Sequence, residues 1–172
     1  MNNMMTPEMI EVFMKINQSG IEKNVSVKER RNQNHYRQRR LFSFLENEIL
    51  KFSSLGFEFV KSKPVTLNLR TAKGIEFGFE AFPFEIKLKS KKTEYVFTPK
   101  VNGAGNLYYS FVRREYGDEK FVNGSLIWNK EDEDKKSHWY LETSYYSNVL
   151  NNGVLDENGL AMLFTSMYCI EL

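Results

Sequence analysis

The chain has 172 residues, a mass of 20.3 kDa and a formal net charge of +2, a size that fits one domain. Apolar residues make up 41%, charged residues 27% and aromatics 15%, an ordinary globular balance with many rings. A single cysteine and no apolar run of about 18 residues exclude a disulfide scaffold, a zinc ribbon and a membrane span.

The opening, Met1-Asn2-Asn3-Met4-Met5, lacks a basic stretch ahead of an apolar one and is not read as a signal peptide. Cys169 lies among apolar neighbours and reads as a buried thiol in a reducing compartment, the cytoplasm. Charge is uneven along the chain. The first hundred residues sum to +7 and the rest to −5, which bears on partners rather than on fold.

Thr6-Pro7-Glu8 predicts a helix start, with Thr as N-cap and Pro at the first helical position. Met9, Ile10, Phe13 and Met14 follow at helical spacing, and Ser19-Gly20 is expected to end the helix. Ser26-Val27-Lys28-Glu29 has the form of a capping box and predicts a second helix reaching about Ser53. Its apolar stripe, Leu41, Phe42, Leu45, Ile49 and Phe52, occupies only the C-terminal half. The half from Arg30 to Arg40 is nearly all polar, so it is expected to project or to lie against an acidic partner.

From Phe57 the apolar period changes to two. Phe57 and Phe59, then Val65, Leu67 and Leu69, then Ile75, Phe77, Phe79 and Ala81 alternate with polar residues. After Pro83 the apolar set moves to even positions, Phe84, Ile86 and Leu88. A break or bulge is therefore expected at Phe82-Pro83. Further strands are expected at 93–98, 106–115, 120–129 and 137–146. Turns are read at Asn102-Gly103-Ala104-Gly105-Asn106 and Tyr116-Gly117-Asp118-Glu119, with Asn123-Gly124 as a competing hairpin or bulge. Asp156 can cap a last helix whose Leu160, Leu163, Phe164 and Met167 face the core. Gly159 is expected to cost that helix about 1 kcal/mol relative to Ala.

This order predicts one α+β domain: an antiparallel meander of about seven strands with N-terminal helices and one C-terminal helix. The basic helical part covers 1–54, the sheet 57–146 and the last helix 156–170. A partly closed β-barrel capped by helices is the alternative.

The most informative stretch is 29–40, where Arg30, Arg31, Arg37, Arg39 and Arg40 are interleaved with Asn, Gln, His35 and Tyr36. Arginine forks bind phosphate in two-pronged fashion, and amides can read base edges. Arg30, Arg37 and Arg40 share a helix face, and changing all three is expected to leave stability nearly intact. Lys87 and Lys89 either extend a phosphate-binding surface or guard an edge strand. Tyr108-Tyr109 and Tyr145-Tyr146 put rings on both sheet faces, which makes Tyr108 and Tyr146 candidates for a protein interface.

Glu85-Ile86-Lys87 resembles half of a metal-dependent nuclease site, with Glu76 or Glu80 as the missing second ligand. His35 and His138 are the only histidines, and no nucleotide-binding or nucleophile-elbow motif occurs. The expected function is a non-enzymatic binding protein without metal or cofactor, whose basic helix engages a polyanion such as nucleic acid. The alternative is a protein-binding inhibitor or adaptor that meets an acidic protein surface, and a nuclease comes third. A homo-oligomer is a further expectation, from the opposed charges of the two halves. Sixteen Asn and a 16:8 Lys:Arg ratio accord with an AT-rich bacterial or phage genome.

Overall fold

The computed structural model describes residues 7–70, 74, 76–115, 118–120, 126–131, 137–142 and 153–168, with side chains of the first helix from Val27 onward. A single helix α1 runs from Pro7 to Leu50, 44 residues or about 66 Å at 1.5 Å per residue. The expected interruption at Ser19-Gly20 does not occur. One glycine costs a helix about 1 kcal/mol, whereas a break would leave up to eight backbone groups without helical partners. Ser26 and Glu29 are spent inside the helix rather than at its start. A short turn at Ser53–Leu55 then closes on Gly56, whose φ of +91° is left-handed.

The strands follow as β1 (Phe57–Lys61), β2 (Val65–Arg70), β3 (Glu76–Ala81), β4 (Phe84–Leu88), β5 (Thr93–Val101), β6 (Leu107–Glu115), β7 (Asp118–Lys120), β8 (Leu126–Glu131), β9 (Ser137–Glu142) and β10 (Gly153–Val154). The last element is helix α2, Glu157–Tyr168. The main sheet has the order β1-β4-β5-β6-β8-β9-β10, with β7 also against β6, and every pairing is antiparallel. It curls into a half-barrel, so the α+β expectation and its partly closed alternative describe the same object. Of the predicted strand at 120–129, Lys120 ends β7 and residues 126–129 belong to β8; residues 121–125, with Asn123-Gly124, and Tyr145, Tyr146 and Cys169 lie outside the described residues.

The phase slip at Pro83 has a topological cause. β2 and β3 pair only with each other in a second, two-stranded sheet, and the chain leaves it at Phe82-Pro83 to enter the main sheet as β4. Proline has no amide to pair, but its carbonyl accepts from the Ser62 amide at 2.9 Å.

The core lies on the inner face of the half-barrel. Phe84, Ile86, Leu88, Tyr95, Phe97, Tyr109, Phe111, Ile127 and Leu141 meet Leu41, Phe42, Leu45 and Ile49 of α1. Phe84 and Phe97, paired in register on β4 and β5, stack at 4.4 Å. Arg113 and Glu115, two apart on β6, form an ion pair buried in the same layer. α2 bridges the two sheet edges: it follows β10, and its Phe164 stacks on Phe57 of β1 at 4.1 Å. Asp156 caps it as predicted, accepting from the Gly159 amide at 2.9 Å. Among the described residues no helix is long and apolar enough to cross a membrane.

Candidate functional site

The basic stretch of α1 does not project. Asn34, Arg37 and Gln38 are buried against the sheet, because the surface they meet is itself made of unpaired backbone groups. Asn34 donates from Nδ2 to the Gly105 carbonyl at 2.8 Å and accepts from the Leu107 amide at 3.1 Å. Gln38 donates from Nε2 to the Glu80 carbonyl at 3.3 Å. Its Oε1 accepts from the Phe82 amide at 3.0 Å and from the Tyr109 hydroxyl at 2.8 Å. A polar helix is thus held by packing where each amide finds both a donor and an acceptor.

The turn between β5 and β6 is ordered by the same chemistry. Asn102 Oδ1 accepts from the amides of Ala104 and Asn106, both at 3.0 Å, and Gly105 takes the left-handed φ of +76°. This aims Asn106 Oδ1 at the helix, where it accepts from Arg30 Nη1 at 2.6 Å and from Arg37 Nη1 at 3.5 Å.

Beside this turn lies a groove of about 750 Å³. Arg30 and Arg37 line it from the helix, Asn102 and Asn106 from the turn, and Tyr108, Leu126, Trp128, Asn129, Lys130 and Glu142 from β6, β8 and β9. Strand register assembles its sheet side, since Tyr108 pairs with Trp128, and Trp128 with Tyr140. Side chains alternate along strands, so these three rings stand in one row on the face opposite the core. Trp128 and Tyr140 stack at 4.9 Å with an interplanar angle of 22°.

Arg30, Arg37 and Arg40 do lie on one flank of α1. Arg40 lines a smaller cavity of about 210 Å³ with His138 and Trp139, and the Trp139 indole donates to the Arg37 carbonyl at 3.3 Å. Arg37, however, is only 5% exposed, so the three cannot be changed together without loss of stability. Arg40 sits 5.8 Å above the ring of Tyr36, which is 55% exposed. Arg39 is exposed, while Arg31 is half-buried. Between them His35 meets Phe79 edge-on at 5.6 Å. Burial, then the charges of Arg31 and Arg39, hold His35 below its ordinary pKa of 6.5.

The second basic cluster is arranged differently. β4 is an interior strand between β1 and β5, so Lys87 does not guard an edge, and Lys89 lies beyond the strand in the short turn Lys89–Lys91. Lys87 pairs with Glu85 at 2.8 Å and Glu94 at 3.7 Å, Lys89 with Glu58 at 3.2 Å, and Arg114 with Glu94 at 2.9 Å. The hydrogen bond that Lys87 donates to Glu85, aided by the charges of Glu85 and Glu94, raises the Lys87 pKa. Glu85 is thereby matched by a lysine, and Glu76 and Glu80 sit on β3 in the other sheet. Among the described residues no group of three or more His, Cys, Asp or Glu could hold a metal ion.

Of the predicted site residues, the structure brings Arg30, Arg37 and Tyr108 into one groove. Tyr146 lies outside the described residues. Trp128, Lys130 and Asn106 also line the groove, and the sequence does not single them out as a site. They become neighbours only through the pairing of β6 with β8, which no local pattern announces. A comparison with protein families finds no matching family, and comparisons with characterised proteins and with solved structures find no significant match.

Proposed function

We propose that this chain is a small non-enzymatic binding protein that holds single-stranded nucleic acid in the groove between α1 and the start of β6. One observation carries the reading: the groove joins the arginines of the basic helix to the aromatic residues of the acidic half. Among the described residues its lining has three cations, Arg30, Arg37 and Lys130, and one acid, Glu142. Guanidinium and ammonium groups suit phosphate, aromatic faces suit unstacked bases, and amides suit base edges. A groove of this volume is in the range of ligand pockets. The lone Cys169 accords with action in the cytoplasm.

The test is fluorescence anisotropy with labelled single-stranded DNA and RNA, with duplex DNA and polyglutamate as competitors. Single strands are expected to bind, with log affinity falling by about 0.7 per neutralised phosphate for each tenfold rise in salt. Lys130→Glu, an exposed change, is expected to weaken binding about tenfold without altering the melting temperature. Equal competition by polyglutamate, or no binding of any nucleic acid, would overturn the reading in favour of a protein-binding inhibitor or adaptor.

A further inference from the structure

The row Tyr108, Trp128, Tyr140 admits two uses. Each ring could carry one base, as on an open stacking platform, or the row could present a single slot. The geometry points to the second: we infer that one nucleobase at a time is seated against Trp128, a conclusion that rests on the nucleic-acid reading above.

The argument starts from the two faces of the Trp128 ring. One is covered, because Tyr140 stacks on it with centroids 4.9 Å apart and planes 22° from parallel. A base between two rings needs about 7 Å, twice the roughly 3.4 Å stacking step, so none fits there. Tyr140 does not line the groove whereas Trp128 does, so Tyr140 stands behind Trp128 as seen from the groove. Among the described residues no ring covers the other face of Trp128, whose cross-strand partner on β6 is Tyr108.

Tyr108 lines the same groove and, among the described residues, stacks on no other ring. The rings on β6 and β8 thus line the groove while the pair on β8 and β9 is closed. Arg30 and Lys130 line the same groove and supply cations for the phosphate attached to the seated base. Tyr140 acts as the backing that holds the Trp128 ring upright. It is a positioning residue, with no base of its own.

The experiment compares Trp128→Ala, Trp128→Phe and Tyr140→Leu, each titrated into labelled oligothymidylate and oligoadenylate by anisotropy. Tryptophan emission is recorded in parallel. The protein has two tryptophans, and Trp139 is buried with its indole bonded to the Arg37 carbonyl, so ligand quenching should report Trp128. Wild-type emission is expected to fall on binding. Trp128→Phe is expected to bind within a few fold of wild type but with no quenching. Trp128→Ala is expected to lose about tenfold in affinity, and Tyr140→Leu no more than about threefold.

Equal losses in Trp128→Ala and Tyr140→Leu would mean that each ring carries a base, and the single slot would be wrong. Tight binding by a folded Trp128→Ala protein, or quenching that persists in Trp128→Phe, would also refute the slot while leaving nucleic-acid binding intact. Failure of the wild-type protein to bind any oligonucleotide would remove both. If Trp128→Ala does not fold, the quenching comparison between wild type and Trp128→Phe decides alone.

Discussion

Gln38 gives the sharpest test of how α1 is held. It is 4% exposed, and its amide makes three hydrogen bonds, to the Glu80 carbonyl, the Phe82 amide and the Tyr109 hydroxyl. Gln38→Ala strands two donors. A buried donor left without a partner costs about 1–3 kcal/mol. Tyr109 is fully buried, and burial pushes its phenol far above its ordinary pKa, so the hydroxyl stays a donor in need of an acceptor. The Phe82 amide is only partly buried and water can replace part of its bond. The expected loss is therefore about 2–4 kcal/mol, a large share of the roughly 5–15 kcal/mol of a typical domain. Urea unfolding should show it as a lower midpoint at unchanged slope. Tyr109→Phe removes the hydroxyl and spares the other two bonds. Combined with Gln38→Ala it should recover about 1 kcal/mol against the sum of the single losses. A loss below about 1 kcal/mol for Gln38→Ala, or strict additivity with Tyr109→Phe, would refute the argument.

Three further outcomes are expected. Gly159→Ala should lower the melting temperature although alanine is the better helix former, because a Cβ there would stand 2.6 Å from the Val154 carbonyl oxygen; a raised melting temperature would contradict this. Arg37→Glu should cost about 3 kcal/mol or more by placing an unmatched carboxylate in a buried position, whereas Arg39→Glu on the exposed face should stay within about 0.5 kcal/mol, both read from urea midpoints. His35 has a lowered pKa, so the unfolded chain takes up its proton first, and stability should fall as pH drops below about 6.5. His35→Gln should flatten that fall in melting temperature between about pH 7 and pH 5, and parallel profiles for the two proteins would count against the shift.

The strands were legible because alternation is local: each of Phe84, Ile86 and Leu88 declares its face through its own neighbours. The break at Phe82-Pro83 was legible for the same reason, as a change of phase beside a residue without an amide. The cap of α2 was legible in Asp156. What could not be read was everything decided at a distance. The residues that satisfy Asn34 and Gln38 lie 42 to 73 positions away, so a helix polar in sequence looked unsupported. Lys87 looked like a phosphate ligand or an edge guard because strand order, which makes β4 an interior strand and brings Glu94 beside it, is not written locally. The continuity of α1 through Gly20 was hidden by a stop signal too weak to end a helix. Of the candidate groove, Arg30, Arg37 and Tyr108 were visible in the sequence as site residues. The rest depended on the turn before β6 and on the pairing of β6 with β8.

The two amides on α1 also repeat one pattern. Asn34 joins the carbonyl of Gly105 and the amide of Leu107, the groups on either side of Asn106. Gln38 joins the carbonyl of Glu80 and the amide of Phe82, on either side of Ala81. Bonding to the groups that flank a residue is how a neighbouring parallel strand pairs with it. Each side chain therefore imitates one residue of such a strand, at the two places where β3 ends and β6 begins. An open strand end of this kind is a template for another chain. α1 closes both without lending its own backbone, so the helix keeps its internal bonds and the sheet gains a guard against strand addition and aggregation.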